Sequence, residues 1–358
     1  MPPHRVYTDP APLHLRMGGE LARHEVAYET WGGLNAARDN AVFVCAGISA
    51  SSHVRSNAGN PARGYWEEMV GPGLAIDTDR FFVVAASWLG GCSGTTGPSS
   101  ADPRTGKPYA LSFPILTLHD LGASAMRLLE GLGVARLHAS VGSSLGGMVV
   151  LAMAVDFAEK AGRIASLSGT AWTRAGALAI RYLQRACILL DPEFRGGSYP
   201  AGGGPRRGLS LARQLGFTTY RSVAEWNERF GRERRPGPPA FTADYAVETY
   251  LEHQGKAFAE RYDPDTYLYL SKAMDLFDLR RPGGTLREGL DALRERVLVI
   301  GVDSDLLMPI DEQEELFDAV RGNHPRNRYV RVSSLYGHDA FLKETALFTP
   351  PLGEFLEG

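Results

Sequence analysis

One octet in this 358-residue chain gathers what nucleophilic catalysis requires: Val141-Gly142-Ser143-Ser144-Leu145-Gly146-Gly147-Met148. An apolar run precedes it and a helical pattern follows, so the serines fall on a tight strand-to-helix turn. A side chain that projects from such a turn needs small neighbours on both sides, because the backbone is strained there. Ser144 has Gly142 and Gly146 two residues away on either side, whereas Ser143 is flanked by Val141 and Leu145. Ser144 is therefore the candidate nucleophile, against the alternative of a glycine-rich turn that happens to carry serines. A serine hydroxyl is a weak nucleophile at neutral pH, and it needs a base within hydrogen-bond reach and a carboxylate to orient that base.

Both partners have candidates in the order nucleophile, acid, histidine, which is the order of the α/β-hydrolase fold. A strand-like run ending at Ile300 leads into Gly301-Val302-Asp303-Ser304-Asp305-Leu306-Leu307-Met308-Pro309. Asp305, four residues before a helix-opening proline, suits the acid, and Asp303 suits a hydrogen bond within the turn. The last strand-like run ends near Val332 and leads into Tyr336-Gly337-His338-Asp339, which makes His338 the base. His24, His119, His138 and His253 fall within strand or helix patterns, while His53 and His324 are loop residues for which a local structural role stays open. Acyl transfer also needs donors aimed at the oxyanion. One should be the Leu145 N–H at the start of a helix, and the other should lie in Ala46-Gly47-Ile48-Ser49 after an early strand.

The elements that would carry these residues alternate. Strands are expected at residues 26–30, 41–45, 81–85 and 137–141, and again at 296–300 and 328–332. Between and after them, Leu121, Ala125, Leu128 and Leu132, then Met148, Leu151 and Val155, recur at helical spacing. This predicts an α/β protein with a mainly parallel sheet flanked by helices, its inner strands buried on both faces. Residues 172–290 lack such strands and predict a helical lid inserted between two parts of the core, 1–171 and 291–358.

Composition narrows the function classes. A net charge of −3 gives no general attraction to nucleic acid, and the basic run Arg232 to Arg235 is broken by Glu233. No segment approaches the roughly 20 apolar residues of a membrane span, and no apolar run near the start suggests a secretory signal, so a cytoplasmic protein is expected. Three cysteines without metal or redox spacing predict reduced thiols and no metal site.

The chain resembles the homoserine O-acyltransferase family, with its serine O-acetyl- and O-succinyltransferase branches, over nearly its whole length. The resemblance rests on Tyr28-Glu29-Thr30-Trp31-Gly32, Gly90-Gly91-Cys92-Ser93-Gly94-Thr95-Thr96-Gly97-Pro98-Ser99-Ser100, Thr105-Gly106-Lys107-Pro108-Tyr109, the Ser144 turn, Gln184-Arg185, Tyr267-Leu268-Tyr269-Leu270-Ser271 and Gly337-His338-Asp339. It implies a ping-pong reaction in which Ser144 takes an acyl group from acyl-CoA and passes it to the hydroxyl of homoserine or serine. It implies further that Ile48 is the second oxyanion donor, that Arg185 binds the acceptor's carboxylate and Asp339 its ammonium, and that the protein is a homodimer serving methionine or cysteine biosynthesis. Acetyl-CoA is the first expectation for the co-substrate and succinyl-CoA the alternative, for which Arg55 is a candidate cation. The early loop departs from the family's usual H-A-L-T, and Ser87 stands where asparagine is common, both near the expected pocket. An esterase with the same three residues is the rival reading. A non-catalytic binding protein of this fold would typically have lost one of them.

Overall fold

The computed structural model describes residues 5–200, 202–239 and 241–358. Eight strands build one sheet: β1 (Arg5–Asp9), β2 (His24–Trp31), β3 (Ala41–Cys45), β4 (Phe82–Ala86), β5 (Leu137–Ser143), β6 (Arg163–Leu167), β7 (Val297–Val302) and β8 (Arg328–Val332). Their spatial order is β1-β2-β4-β3-β5-β6-β7-β8. β2 runs antiparallel to both β1 and β4, and every other pairing is parallel. Its alternation explains the two-sided core. Phe43 and Cys45 of β3 pack into the layer with helices α1 (Leu118–Gly131) and α2 (Leu145–Asp156), whereas Val42 and Val44 belong to the opposite layer with Phe348, Leu352 and Phe355.

Local signals set the helix limits. Thr117 and Asp120 form a capping box that starts α1, which presents Leu121, Ala125 and Leu128 to the sheet at the spacing read from sequence. α2 is buried over nearly its whole length, so it has no polar face to present. The chain then leaves the sheet for five helices: α3 (Ala175–Leu189), α4 (Arg206–Tyr220), α5 (Val223–Phe230), α6 (Ala246–Arg261) and α7 (Pro264–Asp275). They share a small core of their own that includes Ile188, Leu209, Ala212, Phe258 and Tyr267.

This body joins the sheet through a narrow neck. Trp172 pairs with Asp278 in an antiparallel bridge, Thr173 N donates to Phe277 O at 3.0 Å, and Leu279 N donates to Ala171 O at 3.0 Å. Beyond the neck, Leu286, Leu290 and Leu293 pack into the sheet-side core. Two further helices, α8 (Ile310–Val320) and α9 (Thr345–Glu357), complete the layers around β7 and β8. No described helix is long and apolar enough to cross a membrane.

Candidate active site

Ser144 sits between β5 and α2 with φ 55° and ψ −122°, a left-handed conformation that a residue with a Cβ adopts only when its surroundings enforce it. The glycines around it are required by contact. A Cβ on Gly142 would lie 2.2 Å from Gly146 O, and one on Gly146 would lie 2.2 Å from Cys45 O. Any other residue at Gly142 would collide with the first turn of α2, and any other at Gly146 with the end of β3 and its following loop.

The turn lifts the Ser144 hydroxyl toward two loops at the carboxyl ends of β7 and β8. His338 Nε2 lies 2.8 Å from Ser144 Oγ, and His338 Nδ1 lies 2.7 Å from Asp305 Oδ2. Asp305 is itself fixed, because its Oδ1 accepts hydrogen bonds from Leu307 N at 2.9 Å and Met308 N at 2.8 Å. Asp303 faces elsewhere, its Oδ1 accepting a long 3.4 Å contact from Ser334 N. Burial alone would lower the His338 pKa, but the Asp305 carboxylate outweighs it by charge and hydrogen bond, and Asp339 adds to it, so the net shift is upward. An imidazole so placed can take the hydroxyl proton and be stabilised as the imidazolium.

The loop after β3 forms another wall. Gly47 and Ile48 line the cavity in front of Ser144, and Leu145 is the first residue of α2. Among the described residues neither Ile48 N–H nor Leu145 N–H donates to a backbone carbonyl, which leaves both for a developing oxyanion. The loop is held from three sides. Trp88 Nε1 donates to Ala46 O at 3.2 Å, Tyr262 Oη donates to Ile48 O at 2.7 Å, and Ser87 Oγ accepts from Ser52 N at 3.1 Å. Buried Glu29 anchors its far end, accepting from Ser52 Oγ and Asn57 Nδ2 and pairing with His53 Nδ1 at 2.9 Å. Thus Glu29 of the Tyr-Glu-Thr run supports the loop without touching the cavity, and His53 is its partner.

Charge in the cavity is arranged differently from the sequence reading. Asp339 lines it, and its Oδ2 accepts from Arg221 Nε at 2.8 Å. Arg185 is not among the lining residues. Its Nη1 donates to Ser271 Oγ at 2.9 Å and its Nη2 lies 2.5 Å from Asp275 Oδ2, so both ends of its fork are committed to α7. Arg55 is likewise occupied, with Nη1 donating to the carbonyls of Glu67 and Val70. Arg213 and Arg181 line the cavity instead. Arg213 donates to Tyr220 Oη at 3.3 Å, and the Tyr220 ring centroid lies 6.2 Å from that of His338. These two arginines were missed because each sits in an ordinary amphipathic helix, where a cation reads as a solvated face.

A strained serine on a strand-to-helix turn, relayed through a histidine to an aspartate across a mainly parallel sheet, defines a nucleophile-bearing protein of the α/β-hydrolase class. A family model for the alpha/beta hydrolase fold matches residues 40–345. The L-serine/homoserine O-acetyltransferase of Streptomyces lavendulae is 44% identical, across 96% of this chain and 94% of that protein. A serine O-succinyltransferase of Litchfieldella anticariensis is 42% identical, across 97% and 96%. The crystal structure of esterase E22 superposes with a TM-score of 0.91 at 27% identity, covering 99% of both chains. The chain belongs to the homoserine and serine O-acyltransferase family.

Proposed function

We propose that this protein is an acyl-CoA-dependent O-acyltransferase whose acceptor is the hydroxyl of L-serine or L-homoserine. The observation that carries the reading is the charge pattern beside the Ser144–His338–Asp305 relay: the Arg213 guanidinium and the Asp339 carboxylate line one cavity. Opposite charges suit the carboxylate and ammonium of an amino acid, and a pocket for a neutral ester has no use for them.

The geometry supports two half-reactions. His338 Nε2 accepts the Ser144 proton as Oγ bonds to the thioester carbonyl carbon, and the oxyanion takes the Ile48 and Leu145 N–H groups. The C–S bond breaks, the proton passes from His338 to the leaving CoA sulfur, and an acyl-Ser144 ester remains. The acceptor hydroxyl then gives His338 its proton, attacks the same carbon, and expels Ser144 Oγ, which recovers the proton. Asp305 stays ionised throughout. The helical body, with the boundaries 172–290 read from sequence, acts as the lid that keeps water from this ester. The same reading places the enzyme in the cytoplasm.

The rival is hydrolysis, to which the likeness to esterase E22 gives weight. The two part at the acyl-enzyme. Its decay should be slow in buffer and at least about 100-fold faster with serine or homoserine, because a bound acceptor has a large effective concentration. Arg213→Ala should raise the acceptor KM by about 10- to 100-fold, the range for losing a hydrogen bond to a charged group, while acylation continues. Decay that is fast in buffer and indifferent to amino acids would make the protein a hydrolase.

The raised His338 pKa has a direction that can be checked. Only neutral imidazole can accept the serine proton, so acylation should rise with pH along a limb whose midpoint lies above the ordinary histidine value of about 6.5. Asp339→Asn removes a carboxylate that favours the imidazolium, so it should move the limb to lower pH. Measuring the acylation step without acceptor keeps the other duty of Asp339 out of the result. A limb that stayed in place in the variant would remove Asp339 from the electrostatics of His338.

A further inference from the structure

A second cavity, of about 250 Å³, lies between the helical body and the loop that joins β4 to α1. Its walls include Cys92 of that loop, Tyr199 ahead of α4, and Tyr262, Asp263 and Asp265 where α6 passes into α7. None of Ser144, Asp305 and His338 lines it. Asp265 is 4% exposed, and its Oδ1 has no hydrogen-bond partner among the described residues. Tyr199 Oη, near enough to bear on this carboxyl, falls outside hydrogen-bond geometry and is unpartnered too. A buried carboxylate without a donor or a counter-charge is strongly disfavoured. Burial and the charge of Asp263 push the Asp265 pKa up to about 6, against a smaller opposing effect of Tyr199, so the group is still mostly ionised at neutral pH.

The charges around it decide what its partner is. Arg206 commits Nε to Gly202 O at 3.0 Å and Nη1 to Ala259 O, and its charge bears on Asp263. Asp263 also caps α7, its Oδ2 accepting from Thr266 N at 3.0 Å. At the rim, Glu260 and Arg261 are exposed and opposite in sign. Burial raises the Cys92 pKa, so that wall offers a neutral thiol. One negative charge is left over, that of Asp265. Among the described residues no three His, Cys, Asp or Glu side chains come together as a divalent metal site would need. A single positive charge matches what remains.

The cavity also touches the catalytic machinery. Tyr262, one of its walls, donates from Oη to Ile48 O at 2.7 Å. α7 begins here, and further along it lines the catalytic cavity with Tyr267, Ser271 and Met274.

We propose that this cavity binds a small monovalent cation, an alkali metal ion or a primary ammonium group, on the Asp265 carboxylate, and that the bound ion steadies the Tyr262 contact with the Ile48 loop. The site itself stands without the acyltransferase reading above, whereas its effect on acylation rests on that reading.

The test compares thermal midpoints in the chlorides of potassium, sodium, methylammonium and tetramethylammonium at one ionic strength. Potassium, sodium or methylammonium should raise the midpoint saturably over tetramethylammonium, by about 3 °C at ten times Kd. A response to potassium or sodium alone identifies an inorganic ion and one to methylammonium alone an amine, and either supports the site. Asp265→Asn, which keeps the shape and removes the charge, should abolish the response. Thallium(I) in place of potassium should give an anomalous scattering peak beside Asp265 in wild-type crystals. Should the Asn variant fail to fold, the wild-type ion series and the thallium peak decide. Acylation of Ser144, followed by intact mass, should rise about 3-fold along the same saturation curve, as a modest shift in the population of the ordered loop allows. Equal midpoints in every salt, a response that survives Asp265→Asn, or a larger response to magnesium than to potassium overturns the proposal. Stabilisation with unchanged acylation overturns the link to the Ile48 loop, and no acylation in any salt counts against the acyltransferase reading instead.

Discussion

Replacing Ser144 with alanine should lower kcat by about 10⁴- to 10⁶-fold, the range for removing the nucleophile from a serine relay. The variant should also show no mass gain with acyl-CoA in the absence of acceptor, where wild type gains one acyl group. The chain should still fold. The strain at this position is in the backbone, at φ 55°, and alanine bears it as serine does. The glycine contacts that shape the turn involve Gly146 O and Cys45 O, not the hydroxyl. A thermal midpoint close to that of wild type therefore isolates the chemical loss. Substantial turnover without Ser144 Oγ would mean that the acyl group never bonds to the enzyme there.

Asp305→Asn should cost about 10⁴-fold in kcat, as the equivalent change does in other serine relays, and Asp303→Asn less than about 10-fold. The size of the first effect follows from the contacts of the carboxylate. Oδ1 accepts from two backbone N–H groups, of Leu307 and Met308. An asparagine would keep its carbonyl oxygen on those donors and turn its NH₂ toward His338 Nδ1. Nδ1 must then accept, which puts the ring proton on Nε2, where it faces Ser144 and can no longer take its proton. Asp303 has no contact with the imidazole, so its amide would disturb only the turn toward Ser334. The kcat values of the two variants, measured side by side, test this. The reverse ranking would mean that the carboxylate facing His338 in the structure is not the one that orients it during turnover.

The three relay residues were legible in the sequence because backbone geometry writes them there. A strand-turn-helix with glycines on both sides leaves one serine position, and a proline after β7 and a glycine before His338 mark the other two loops. β1, the antiparallel edge, was not foreseen, since Arg-Val-Tyr-Thr-Asp alternates too briefly to separate it from a loop. The cations that line the cavity were harder. Arg181 and Arg185 lie one helical turn apart and share a face, so spacing cannot rank them. What separates them is which nitrogens Asp275, from a helix some 90 residues away in sequence, happens to occupy. Arg213 depends in the same way on where α4 lies relative to His338. Such choices are made by tertiary packing and leave no local trace.

The neck that joins the helical body to the sheet matters for how such a protein can change. Ala171 and Leu279 are hydrogen-bonded neighbours, so the hundred or so residues between them begin and end at almost one point, and the body packs around its own apolar centre. Arg181 and Arg213 are inside this segment, whereas Ser144, Asp305 and His338 are all outside it. The two cavity arginines are thus encoded apart from the bond-making residues, while Asp339 stays beside His338. Mutation or recombination within the segment can retune what is accepted while the reactive trio, fixed by the sheet, keeps its alignment.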